Sequence, residues 1–513
     1  MKHLPALAIL LAIHGTTLKS QIVFPSPQHV ERNNGQLVLH RQVALCAPDT
    51  ASPSLALLRA EVLGHTPIRW TTKPAKADIC WQTDSTLPDE AYRISITPQR
   101  IQVDAGSEGG FVYAVQTLRQ WMTANGNHLS FPCAQINDAP RMQWRGFMLD
   151  SGRQFQQPST IRKYIDMASM LKMNYFHWHL TEALGWRIEI KRYPRLAQVG
   201  GHVGQGAEQQ GFYTQQEIRD IVDYAARRNV TIVPEIDMPG HSEAALSAYP
   251  GLGCFGQQVQ VPQNGFTHNI LCAGKDEVLL HIYNVLDEVC NLFPSPYIHL
   301  GGDEAPKDNW DKCPDCQGRI AAEGLQDTHD LQLWFSAQMA EHLKKKGRKA
   351  IFWGDIVYRD GHPLPENTVI QWWNYRGHKD LALRNAAKHN LPVICSPNYY
   401  TYLNFPVSPW RGYSQERTFD LEDAYLNNPA DKLDYGKGTG ALGMSCALWT
   451  DYGVTEAMID ERIFPRILVL AEQMWHLGSR DNLEAFYRHI CQREAWFKQQ
   501  GYAFGPAFTL PSQ

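Results

Sequence analysis

YIHLGGDE, residues 297–304, is a short apolar run that closes in two glycines and two adjacent carboxylates, Asp303 and Glu304. A run with so little polar character suits a strand of a parallel sheet, covered on both faces. The form recurs along the chain. WRGFMLD (144–150), NYFHWHL (174–180), VTIVPEID (230–237), KAIFWGD (349–355), TVIQWW (368–373), LPVICSP (391–397) and LGMSCALWT (442–450) share its length and texture. Helical stretches lie between many of them. In STIRKYIDMASMLKM (159–173), Ile161, Tyr164, Ile165, Ala168 and Leu171 form one apolar stripe. TQQEIRDIVDYAARRN (214–229) and DLQLWFSAQMAEHLKKKG (330–347) behave likewise, the second stopping at Gly347. Eight strands alternating with helices predict an α/β fold of the (β/α)8 TIM-barrel kind. A doubly wound open sheet gives no reason for the count of eight.

Outside the barrel the texture differs. AYRISITPQRIQVDAG (91–106) alternates with period two around a short turn and predicts a hairpin. GGFVYAVQTLRQWM (109–122) then places Val112, Val115, Leu118, Trp121 and Met122 at helical spacing. Residues 21–139 are expected to form a small α+β domain preceding the catalytic barrel at 140–478, with 479–513 a C-terminal helical segment. At the start, Lys2 and an apolar stretch from Leu4 to Ile13 predict a signal peptide over 1–20, hence an exported chain, periplasmic or secreted.

The 513 residues are 43% hydrophobic and 19% charged, which describes a folded chain with ample core. A net charge of −4 carries no footprint for nucleic acid, and no run is long and apolar enough for a membrane span. Among eleven cysteines, CPDC (Cys313, Cys316) is an isolated pair. Zinc would need a second pair or suitably spaced histidines, which the residues after it do not supply, so a loop disulfide or buried thiols are expected.

A barrel carries its chemistry at the carboxyl ends of its strands. Those ends hold Asp150 and Arg153, Glu182, Asp237 and His241, Asp303 and Glu304, Trp353 and Asp355, Trp373, Tyr402 and Asn404, then Trp449 and Asp451. Tryptophan faces stack on sugar rings, while carboxylates, amides and arginine bond to hydroxyls; few ligands other than sugars want both.

HLGGDE (299–304), HWHLTEALGWRIEIKRYPRL (177–196), DMPGH (237–241), Tyr402-Leu403 before Asn404, ALWTD (447–451) and ERIFPRILVLAEQMW (461–475) resemble the family 20 glycoside hydrolases, the β-N-acetylhexosaminidases. The resemblance implies an exo-acting, retaining hydrolase that releases terminal N-acetylglucosamine or N-acetylgalactosamine from a glycan, without metal or cofactor. In that family the substrate's 2-acetamido oxygen is the nucleophile, an exception to the two-carboxylate scheme. Neighbouring acids on an extended strand point to opposite sides, so they suit this chemistry better than a direct displacement. The resemblance makes Glu304 the general acid/base and Asp303 the partner of the acetamide N–H. Asp303 would also disfavour ionisation of Glu304. Tyr402 would donate to the acetamide oxygen; Trp353, Trp373 and Trp449 would wall the pocket; Arg153 and Asp451 would hold the far hydroxyls.

The chain departs from the family pattern at three places. DSGR (150–153) stands where the family commonly has DxSR, Glu182 where it usually has Asp, and Asn404 where Asp often follows Tyr-Leu. In the family the acid at Glu182's place belongs to a relay through a histidine, matched here by His241. The competing readings are a metal-dependent barrel hydrolase built on His177 and His179, with His241, His299 and Asp355 as further ligands, and a non-catalytic sugar-binding barrel.

Overall fold

The computed structural model describes residues 21–509 apart from 41, 126–127, 205, 207–208, 262–266, 376, 379, 411–416 and 437. The stretch read as a signal peptide lies outside the described residues. Eight parallel strands form the centre of the molecule: β1 (Trp144–Asp150), β2 (Tyr175–His179), β3 (Thr231–Glu235), β4 (Tyr297–His299), β5 (Lys349–Trp353), β6 (Thr368–Trp372), β7 (Val393–Cys395) and β8 (Ala441–Leu448). They pair in chain order, and β8 closes on β1 from Gly443↔Trp144 to Leu448↔Leu149. Each expected apolar run supplies one strand.

Both faces of these strands are covered. Inside, Trp144, Val233, Tyr297, Ile351, Val369 and Ile394 form their own cluster, with Trp144 stacked on Tyr175 at 3.8 Å between ring centroids. Outside, the helix Pro158–Met170 buries Ile161, Tyr164, Ile165 and Ala168. The helix Gln215–Ala226 begins at a capping box, in which Thr214 accepts from the Glu217 amide and the Glu217 carboxylate accepts from Thr214. The helix Thr328–Lys345 ends before Gly347, whose φ of +69° releases the chain into β5.

The N-terminal sheet runs, in spatial order, 29–39, 128–138, 92–96, 101–105, 79–83, 43–46 and 68–70, with 123–125 paired on 128–138. The expected hairpin is present, with Tyr92 opposite Ala105 and Ile96 opposite Ile101. The helix Glu108–Trp121 covers it with Val112, Val115, Leu118 and Trp121, each at most 1% exposed. Sheet and barrel meet through a buried polar junction. Lys172 Nζ lies 2.7 Å from Asp138 Oδ2, and Trp475 Nε1 donates to Asp138 Oδ1 at 2.8 Å. Both members of that ion pair are shut off from solvent, so each is uncompensated without the other. The C-terminal helix Leu483–Gln499 packs Phe486 and Phe497 on Phe24, tying the two ends of the described chain to one core.

Candidate active site

The carboxyl end of β4 builds the site. Past Leu300 the chain coils, with φ of +65° at Gly301 and +97° at Gly302. A Cβ on Gly301 would fall 1.7 Å from Asp237 Oδ1, and one on Gly302 would fall 2.8 Å from the Ile356 side chain. Glycine is required at both places. Asp237 accepts the Gly302 amide at 3.1 Å, and Gln332 donates to the Gly302 carbonyl at 2.7 Å, so the turn is held from two sides. Glu304 follows at φ +48°, a left-handed conformation uncommon for a residue with a side chain.

This turn corrects the expectation that Asp303 and Glu304 diverge as on an extended strand. The pleat ends at Leu300, and both carboxylates reach one imidazole: His241 Nε2 lies 3.6 Å from Asp303 Oδ2 and 3.7 Å from Glu304 Oε2. What separates the two acids is environment. The Asp303 side chain is 13% exposed and that of Glu304 is 50% exposed. Asp303 Oδ1 is buried without a hydrogen-bond partner among the described residues. Burial first, then the charge of Asp237, push the Asp303 carboxyl well above the ordinary range; His241 opposes them, and Asp355 and Glu304 add to the rise. Burial likewise raises Asp237 to about 7 and Asp355 to about 6. Asp355 accepts the Glu304 amide at 3.3 Å and the Trp373 indole N–H.

His241 Nδ1 lies 2.8 Å from Glu182 Oε1, the first link of the relay expected of this histidine, while its Nε2 stands 3.6–3.7 Å from the two acids. Burial disfavours the imidazolium, but Glu182 and Asp303 outweigh it and hold the group well above its usual value. Glu182 itself is buried, yet Arg153, His241 and His179 keep its carboxyl well below the ordinary range. Arg153 reaches Glu182 at 2.9 Å and Asp150 at 3.0 Å, and its guanidinium lies 5.0 Å from the Trp449 ring centroid. Two departures from the family pattern lie against each other here. A Cβ at Gly152 would stand 2.6 Å from Glu182 Cβ, so this backbone needs glycine at 152 beside an aspartate as much as beside a glutamate. Gly152→Ser alone is expected to overpack the site at a cost of roughly 1–3 kcal/mol. Glu182→Asp keeps the Cβ that the new side chain meets, so the loss should persist in that background, and a double-mutant cycle on melting temperature checks this. Rescue by Glu182→Asp would mean that the length of the acid, and not its Cβ, sets the fit.

The aromatic residues form one continuous wall. Trp353 lies 5.7 Å from Trp449, Trp449 lies 5.9 Å from Tyr402, and Tyr402 stacks on Trp373 at 6.3 Å. Trp373 and Trp449 are half-buried, whereas Trp353 is 1% exposed and donates its indole N–H to Glu235 at 2.8 Å. Burial and the nearby Asp303 hold the Tyr402 phenol well above its usual value, so it is a neutral hydroxyl. Asn404, itself buried, donates to Asp451 at 3.1 Å.

Glu235 was not among the expected site residues. It organises the floor: His177 (2.8 Å) and His179 (2.6 Å) meet one carboxylate oxygen, Trp353 and His299 (3.2 Å) the other. The HWH pair is thereby paired with an acid of the neighbouring strand. The available signal was an acid inside the apolar run VTIVPEID. Asp237 and Asp355 stood at strand ends in the sequence, but their buried contacts with the Gly302 and Glu304 amides depend on the folded turn.

The profile described as glycosyl hydrolase family 20, catalytic domain, matches residues 142–477, and that of domain 2 of the same family matches 20–139. The chain belongs to glycosyl hydrolase family 20. It is similar to a β-hexosaminidase of Porphyromonas gingivalis, 36% identical over 91% of this chain, although the chain spans only 62% of that relative's length. A Vibrio furnissii β-hexosaminidase is 33% identical over 90% of this chain and 77% of its own. The crystal structure of a β-N-acetylhexosaminidase from Bacteroides fragilis superposes with a TM-score of 0.92 at 60% identity, covering 96% of this chain and 98% of that one. An exo-β-N-acetylglucosaminidase from Vibrio harveyi, solved with N-acetylglucosamine, superposes with a TM-score of 0.85 at 28% identity over 95% of this chain and 78% of its own. This family 20 chain is thus a glycoside hydrolase of the β-hexosaminidase class, and the expected barrel with its N-terminal domain is that of its relatives. In this family 20 hydrolase, the acids, the aromatic wall and Arg153 come together at one mouth of the barrel.

Proposed function

We propose that the enzyme removes a terminal, non-reducing β-linked N-acetylglucosamine or N-acetylgalactosamine, with retention, and that the acetamide of the departing sugar is the nucleophile. The observation that carries this reading is the unequal placing of two adjacent acids. Asp303 is buried beside the aromatic wall with one oxygen unpartnered among the described residues, while Glu304 stands half-exposed at the edge of a cleft of about 400 Å3 that also involves Lys307, Arg359 and His378. One acid faces the sugar's interior, and its neighbour faces the leaving group.

In the first step the acetamide oxygen bonds to the anomeric carbon as the glycosidic bond breaks, and the leaving oxygen takes the proton of Glu304. Asp303 accepts the acetamide N–H, an interaction that strengthens as positive charge spreads onto the acetamide. Tyr402 donates to the acetamide oxygen and aligns it. In the second step Glu304 removes a proton from water, which attacks the same carbon and reopens the ring. Two inversions leave the configuration unchanged. Arg153 and Asp451 hold the far hydroxyls, so only a chain end fits.

Release of p-nitrophenol from the N-acetyl-β-glucosaminide and the N-acetyl-β-galactosaminide, with the product's first anomer read by NMR, tests the reading. An initial α product, or equal turnover of a glucoside lacking the acetamide, would overturn it. Asn404 leaves one negative charge fewer beside Asp451, which supports tolerance of an anionic group near the sugar's 6-position. Asn404→Asp is expected to lower kcat/KM for a 6-sulfated substrate about 10-fold more than for the plain one. An equal effect on both would remove that role. The apolar, lysine-led stretch at 1–20 supports export to the periplasm or beyond, testable from the N-terminus of the mature protein.

A further inference from the structure

Beside the catalytic turn, the fold gathers four cysteines that lie far apart in the chain. Cys254, Cys272, Cys313 and Cys316 have their sulfurs all within 4.8 Å of one another. Cys272 Sγ lies 3.6 Å from that of Cys316 and 3.8 Å from that of Cys313, and the Cys254 and Cys316 sulfurs are 3.8 Å apart. We propose that these four sulfurs are the ligands of a structural zinc ion. The expectation at CPDC was a loop disulfide or buried thiols; the thiols are buried, and a second pair stands beside them, with Cys272 41 positions before Cys313.

Geometry favours a metal over pairwise bonds. Four thiolates at the usual zinc–sulfur distance stand about 3.8 Å apart along every edge of a tetrahedron. Here Cys272 and Cys316 each have two sulfur neighbours at nearly equal distance, so no unique division into two disulfides is marked out. The surroundings suit thiolates. Cys313 caps, and Cys316 sits in the first turn of, the helix Pro314–Glu323, whose amide end attracts negative charge. A Cβ at Gly274 would stand 2.2 Å from the Asp315 carbonyl carbon, so the two ligand-bearing segments touch at a place where only glycine fits. Cys272, Cys313 and Cys316 are fully buried, and Cys254 is half-buried, which closes the site as a structural ion requires.

Its position gives the ion a task. Leu271, next to Cys272, donates its amide to the Pro239 carbonyl at 3.0 Å, two residues before His241. Trp310, three residues before Cys313, donates to the Leu271 carbonyl at 2.9 Å, on the segment that leads from Glu304. A zinc ion here would clamp together the loop carrying His241 and the loop carrying Asp303 and Glu304, without touching substrate.

Elemental analysis of the full-length purified protein decides the matter. One zinc per chain is expected, released by an organomercurial that titrates the thiols. Cobalt(II) exchanged into the site should give the visible bands of a tetrahedral tetrathiolate centre. Cys272→Ser should lose the zinc and those bands, while Cys446→Ser, at a buried cysteine elsewhere in the barrel, keeps both. A chelator is expected to lower the melting temperature of the wild type by roughly 5–10 °C. If Cys272→Ser fails to fold, the metal content and cobalt spectrum of the wild type still give the answer. Metal-free protein whose four cysteines are recovered as two disulfides, or as four free thiols with no affinity for cobalt, would overturn the assignment.

Discussion

Glu304→Gln is expected to lower kcat/KM on a glycan disaccharide by about 10²–10⁴, and by far less on an aryl glycoside with an acidic leaving group. The difference between the two substrates is the informative quantity. A phenolate that leaves readily needs little protonation, whereas a sugar alkoxide needs a full proton from the enzyme. Glutamine keeps the size of Glu304 and its amide bond to Asp355 but carries no acidic proton. The 50% exposure of this side chain toward the outer cleft makes a folding defect a poor explanation of any loss. Steady-state kinetics on an aryl glycoside and a disaccharide, with circular dichroism to verify the fold, measure the effect. An equal loss on both substrates would move the acid role elsewhere.

Asp303→Asn should show the complementary pattern. The loss, about 10²–10³ in kcat, should be similar whatever the leaving group, because the step it serves is closure of the acetamide onto the anomeric carbon. Asparagine fits the buried site, but it cannot neutralise the positive charge that develops on the acetamide. It also removes one of the carboxylates that hold His241 charged, so the imidazole should titrate at lower pH in the variant. That shift, followed by NMR of the ring, separates an electrostatic role from simple packing. An Asp303→Asn enzyme with the kcat of the wild type would show that the buried acid does not meet the acetamide.

The barrel was legible because its strands are buried on both faces, and burial leaves a compositional mark that needs no knowledge of partners. The same holds for the glycines before Asp303 and for the tryptophans at strand ends. Contacts across the fold left no such mark. Gly152 and Glu182 looked like two unrelated departures until the missing Cβ of one was found against the side chain of the other. Glu235 read as one acid in an apolar run, and its three imidazole partners come from β2 and β4.

Read alone, the residue order determined the eight-stranded barrel, the small domain before it, and which side chains stand at the mouth, because hydrophobic periodicity and strand-end position are local properties. Only the tertiary structure decided that Asp303 is buried while Glu304 is open, that the chain coils after Leu300, and that four distant cysteines share one corner. Burial, electrostatic coupling and ligand clustering depend on distances through space, and these are set only when the chain closes on itself.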